Sequence, residues 1–109
     1  MSARSSVIEI IELLAQPSKQ LQYERDVPIA NVPAELICMF CDDLYHPKSE
    51  QFISSFSSDE LKDLAHLYGV LCEAANLEVK GVLDLQRQPK WRTVVAVAKN
   101  LSAHYANNA

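Results

Sequence analysis

SSDELKDLAHLYGVLCEAAN, residues 57–76, decides the fold. Leu61, Leu64, Ala65, Tyr68, Leu71, Cys72 and Ala75 recur at the three- and four-residue spacing of an α-helix, and no strand period fits them. Ser57 followed three residues later by Glu60 is a capping box, in which each side chain satisfies a backbone N–H of the other residue. Asp59 and Glu60 also set negative charge against the positive end of the helix dipole. Asn76, which tolerates left-handed backbone, marks the stop. The stretch predicts a central helix over 58–75 with that stripe as its core face.

Working outward, Pro89 sits where prolines open helices, and Trp91, Val94, Val95, Ala98, Leu101 and Tyr105 repeat the same spacing. A helix over 90–105 is therefore the expected packing partner, through Leu64, Tyr68 and Leu71 against Trp91, Val95 and Ala98. On the other side, Ser49 caps a short helix carrying Phe52, Ile53 and Phe56. Asn31, with Pro33 in the first turn, opens a helix whose apolar side is Leu36, Ile37, Phe40, Cys41 and Leu44, ending at His46-Pro47. Ser6 and Glu9 form a second capping box, which predicts a first helix over 6–16, stopped by Pro17. Ile8 and Leu13 lie off its main stripe, so it is expected to be buried on more than one side. Residues 17–32 have no clear period; they are expected to wrap over the core on Leu21, Tyr23, Val27 and Ile29. Residues 77–88 fit a β-hairpin around Gly81 or a short helix from Gly81 onward, and helix is the favoured reading. The expectation is all-α: one domain, residues 1–109, a bundle of five or six helices.

Composition agrees. A chain of 109 residues buries roughly 65% of its unfolded surface around one core. Two glycines, with ample Leu, Ala and Glu, favour helix over a turn-rich β architecture. No apolar run approaches the roughly 20 residues that span a bilayer. Glu9 and Glu12 interrupt the apolar N-terminal stretch, so it does not read as a secretory signal. Three cysteines, an odd number, give no disulfide framework and suit a reducing cytoplasm, the expected location. The net charge of −4 conceals a polarity: residues 33–86 carry −7, and residues 87–109 carry +4 with no acid at all. An acidic surface repels nucleic acid and anionic lipid and attracts basic proteins.

Motifs for chemistry are sparse. Cys38-Met-Phe-Cys41, with His46 nearby, has a zinc-ligand spacing but lacks a second paired cluster and a turn between the cysteines. Cys41 and Cys72 fall on apolar stripes, so the thiols are expected to be structural, with no metal and no cofactor. Asp42 and Asp43 diverge by about 100° on a helix and do not address one substrate together. Asp59 and Glu60 are accounted for by capping, and no residue is assigned a catalytic role. Arg87, Lys90, Arg92 and Lys99 make a weak nucleic-acid footprint, because Trp91 belongs to the core stripe. Lys90 and Arg92 oppose the dipole of the helix they begin, so acidic neighbours such as Glu78, Asp84 or the central-helix carboxylates are expected beside them.

Recognition by surface is what remains. In size, charge and helix pattern, residues 33–105 resemble the small acidic helical immunity proteins with which bacteria neutralise their own secreted toxins, most closely in FSSDELKDLAHLYGVLCEAA. The resemblance implies a non-enzymatic domain, monomeric when free, whose acidic side chains block the basic active site of a toxin. Asp42, Asp43, Asp59, Glu60, Asp63 and Glu73 are the candidate contacts, with neither nucleic acid nor membrane as partner. A homo-oligomeric regulatory helical protein is the alternative, and a small metal-binding domain the third reading.

Overall fold

The computed structural model describes residues 3–27 and 31–107, and within them every regular element is an α-helix. In chain order these are α1 (Ala3–Ala15), α2 (Pro17–Asp26), α3 (Val32–Cys41), α4 (Glu50–Ser54), α5 (Ser58–Ala74), α6 (Val82–Gln86) and α7 (Pro89–Asn107). The all-α expectation holds, with α2 as the element beyond the expected number. α7 is the organising axis: its most extensive packing is against α1, and α5 covers its other side. Trp91, Val94, Val95, Ala98, Leu101 and Tyr105 are all buried along it, the stripe its sequence predicts.

Local signals set most helix starts. Asn31 Oδ1 accepts the Ala34 N–H (3.1 Å), and Ser49 Oγ accepts that of Phe52 (3.4 Å). The capping box of α5 is complete: the Glu60 N–H donates to Ser57 Oγ (3.1 Å) and the Ser57 N–H to Glu60 Oε1 (2.8 Å). α6 is capped from a distance, because Glu24 on α2 accepts the Val82 N–H through Oε2 (2.9 Å).

Three sequence expectations are corrected. The chain is already helical at Ala3, so Ser6 lies inside α1 and is not its cap. Residues 17–26 form a helix where a wrapping segment was expected: Pro17, taken only as the stop of α1, also occupies the first turn of α2, where its missing N–H has no helical partner to lose. Leu21 and Tyr23 do pack against the core; Ile29 lies outside the described residues. The third correction concerns the face of α5. Its buried residues are Glu60, Leu64, Leu67, Leu71 and Ala74, whereas Ala65, Cys72 and Ala75 are exposed. Leu67 is 0% exposed and Tyr68 38%, so the helix is turned by roughly one residue relative to the expected stripe. Residues 82–86 form the favoured short helix, and no strand occurs among the described residues.

Burial of α2 rests on an amide. Gln20 is 0% exposed, and all four of its hydrogen-bonding positions are used. Its Nε2 donates to the Leu13 (3.2 Å) and Leu14 (3.0 Å) carbonyls at the end of α1, while its Oε1 accepts from Trp91 Nε1 (3.1 Å) and Gln86 Nε2 (3.0 Å). One side chain thus ties α1, α2, α6 and α7 together, at the point where the indole N–H needs a buried acceptor.

Candidate functional site

The six acidic candidates do not form one surface. Glu60 is withdrawn from the exterior altogether: its side chain is 7% exposed and both oxygens are occupied. Arg4 on α1 grips it in a two-pronged pair (Nη1–Oε1 2.8 Å, Nη2–Oε2 2.9 Å), and His104 Nε2 on α7 lies 2.9 Å from Oε2. Arg4 donates in addition to the Ser55 carbonyl (3.0 Å) and covers the rings of Phe56 and Tyr105 at 5.5 and 5.1 Å. The Arg4 hydrogen bonds, working against burial and helped by the Ser57 N–H and His104, hold the Glu60 carboxyl at about 2. A carboxylate so saturated and so weakly basic makes a poor proton acceptor in catalysis; it acts as a clasp joining α1, α5 and α7.

The other five carboxylates are exposed, on two different sides. At 100° per residue, Asp59, Asp63 and Glu73 stand about 140–180° around α5 from Tyr68. Asp63 borders a cavity of about 180 Å³ with His66, Val97, Asn100 and Leu101, on the α7 side. Asp42 and Asp43 belong to the α3 side. Asp42 closes α3, its N–H donating to the Cys38 carbonyl (2.9 Å), and the neighbouring Cys72 thiol, far more than the Asp42 charge, pushes the Tyr68 phenol's pKa up. The Asp43 carbonyl faces His46 Nε2 at 3.0 Å.

Beside Asp42 and Asp43 a column of rings runs from the core to the surface. Phe40, buried, stacks on Tyr45 (centroids 5.3 Å, planes 22° apart), and Tyr45 stacks in turn on Tyr68 (4.8 Å, 29°). Tyr45 is further held edge-on by Phe52 (5.6 Å). Tyr68 is thereby a surface ring fixed from behind. Neither tyrosine was singled out for a site from sequence, because Tyr68 was assigned to the core. Leu67 carried the missing signal: a leucine left off the expected stripe argues for turning the helix until it is buried.

No carboxylate among these five forms an ion pair with another described residue. For Asp42 and Asp43 the isolation is unfavourable, since both stand at the negative end of the α3 dipole, at about 0.3–1 kcal/mol each. The mirror situation holds at α7, where Lys90 and Arg92 are exposed in the first turn and pair with none of the expected acids among the described residues. Asp84 instead accepts the Lys80 N–H (2.9 Å).

Among the described residues no three His, Cys, Asp or Glu side chains converge. The neighbouring Asp42 carboxylate, with burial, pushes the Cys38 thiol's pKa up, and burial pushes that of Cys41 up to about 12. The α3–α5 face offers an aromatic ring stacked from behind, small exposed side chains and two carboxylates at a helix end that have no ion-pair partner among the described residues. No protein-family model, no curated protein and no solved structure matches this chain.

Proposed function

We propose that this chain is a non-enzymatic protein-binding domain of the immunity type, which neutralises a basic toxin domain through the acidic end of α3. The reading rests on the placement of Asp42 and Asp43: two exposed carboxylates, without ion-pair partners among the described residues, at a helix end that disfavours them, beside the fixed ring of Tyr68. A basic partner removes that penalty on binding, while Tyr68 supplies an amphipathic anchor whose ordering is already complete. Asp59, Asp63 and Glu73 lie outside this contact and contribute through the longer-range field.

Charge reversal tests the reading. The bait is the wild-type protein, and the candidate partner is the product of the neighbouring reading frame or a basic protein captured from the native host. Asp42→Lys with Asp43→Lys is expected to weaken binding more than tenfold at unchanged thermal stability; Asp63→Lys with Glu73→Lys is expected to lower the association rate by less than that. Equal binding by wild type and the Asp42/Asp43 variant would falsify the proposal.

A second reading has one observation in its favour. Leu61, Ala65, Tyr68 and Cys72 form a continuous apolar strip on α5 that is at most half-buried, and a second copy of the chain is a natural cover for such a strip.

A further inference from the structure

α7 carries a second charged face, opposite in sign to the end of α3. Arg92, Val95, Ala96 and Lys99 stand at i, i+3, i+4 and i+7, so they share one side of the helix, with a cation at either end and two apolar side chains between. The two cations are about 10 Å apart along the axis. Together with Pro17 of α2 and Gln86 of α6 these four residues line a groove of about 280 Å³. Arg92, Ala96 and Lys99 are exposed, and neither cation has an ion-pair partner among the described residues. Arg92 also stands in the first turn of α7, where the helix dipole disfavours a cation, and residues 87–109 contain no acid to offset it. Trp91 borders the groove but is 0% exposed, with its indole N–H held by Gln20 Oε1 (3.1 Å). It closes the groove from beneath and offers no ring face on which a nucleic-acid base could stack. Both Nε2 hydrogens of Gln86 are occupied, by the Pro17 carbonyl (2.8 Å) and Gln20 Oε1 (3.0 Å), so what its amide has to offer an occupant is the acceptor Oε1.

We propose that this groove docks an amphipathic acidic helix of another protein, one with carboxylates at i and i+7 and apolar side chains at i+3 and i+4. That pattern is the charge complement of α7. Two α-helices laid side by side rise by the same roughly 1.5 Å per residue, so one carboxylate meets Arg92 and the other Lys99. The apolar pair then enters between the cations, against Val95 and Ala96. A simple monocarboxylate answers only one of the two cations, which is why the spacing selects a helix. Exposed ion pairs are individually weak, so the apolar contact supplies most of the affinity while Arg92 and Lys99 set which helix is accepted and in what register. A carboxylate beside Arg92 also offsets the unfavourable dipole at the start of α7. The site lies on a different helix from Asp42 and Asp43 and does not depend on what they bind.

The test uses the full chain and a labelled, end-capped peptide of about 18 residues, long enough to form a helix, with Glu at i and i+7 and Leu at i+3 and i+4. Its control is an isomer of the same composition whose Glu and Leu are dispersed around the helix. Binding is followed by fluorescence anisotropy and located by amide shifts in NMR spectra. Shifts are expected to concentrate at Gln86, Arg92, Ala96 and Lys99, and the isomer is expected to bind more weakly. Arg92→Glu with Lys99→Glu is expected to weaken the peptide more than tenfold at an unchanged or higher melting midpoint, because both positions are exposed and an acid in the first turn favours α7. Asp42→Asn with Asp43→Asn is expected to leave peptide binding within about twofold, which separates this site from the α3 reading. Absence of shifts at those four amides, or equal binding by the isomer or by the Arg92/Lys99 variant, overturns the proposal. Three further outcomes overturn it in favour of another occupant: decanoate displacing the peptide at lower concentration points to a lipid-like anion, a single-stranded oligonucleotide doing so points to nucleic acid, and shifts at the same amides that grow with protein concentration alone point to a second copy.

Discussion

Glu60 shows at the scale of one residue how a side chain legible in sequence can do something else besides. Its capping role was readable from Ser57-x-x-Glu60, and it is present. Arg4 and His104, 56 and 44 residues away in sequence, were not, because no local pattern records the contacts of the first turn of α5 with the first turn of α1 and the last turn of α7. The clasp makes stability depend on pH. The folded-state pKa, about 2, lies below the ordinary 4.5, so the contribution is fully present above the ordinary value and is lost as pH falls toward 2. Taken at face value the shift corresponds to about 3 kcal/mol. Urea midpoints between pH 6 and 2.5 are expected to drop for wild type and to vary much less for Glu60→Gln, which is already weakened at pH 6. Parallel curves would remove Glu60 from the acid dependence. Tyr105, whose hydroxyl is buried without a hydrogen-bond partner among the described residues, is the contrasting neighbour. Burial and the Glu60 charge push its pKa to about 12, so it stays neutral throughout this range. Tyr105→Phe leaves no protein group unpaired and is expected to change stability by less than about 1 kcal/mol.

Elements were legible where caps and periods agree, as in α3, α4, α5 and α7, and became illegible where burial is carried by a polar group. α2 buries one residue completely, and it is Gln20; a helix read from apolar spacing alone therefore disappears. Its four hydrogen bonds predict a sharp cost: Gln20→Leu keeps roughly the volume but strands the Trp91 N–H, and is expected to destabilise by about 2–4 kcal/mol in denaturant unfolding. For α5 two overlapping stripes share Leu64 and Leu71, so period alone did not choose between Leu67 and Tyr68. The choice is measurable. Leu67→Ala and Leu71→Ala are each expected to cost about 2–5 kcal/mol, and Lys62→Ala, on the outer side, about zero. Tyr68→Ala, losing one stacked face, is expected to cost about 1 kcal/mol. A Tyr68 variant as damaged as the Leu67 one would restore the face originally expected.

At the scale of the whole molecule the two readings of the α3–α5 face diverge in their response to salt. A basic partner is drawn by Asp42, Asp43 and the −7 balance of residues 33–86, so raising ionic strength is expected to slow association with such a partner while changing dissociation little. Self-association across the Leu61–Cys72 strip follows the opposite rule. A stable dimer takes about 800 Å² from each copy, roughly an eighth of the 6470 Å² surface, and two-fold symmetry over Tyr68 places Asp42 and Asp43 of both copies in the same interface region. Four carboxylates gathered in one interface region at neutral pH oppose closure, and screening relieves them. Light scattering at micromolar concentration is therefore expected to find a monomer at low salt. If a dimer exists, it is expected to strengthen with added salt and with Asp42→Asn and Asp43→Asn together, the same change that weakens a basic partner. A dimer at low salt that those substitutions leave unaffected would move the self-contact away from α3 and α5 and leave the strip to the hetero-partner.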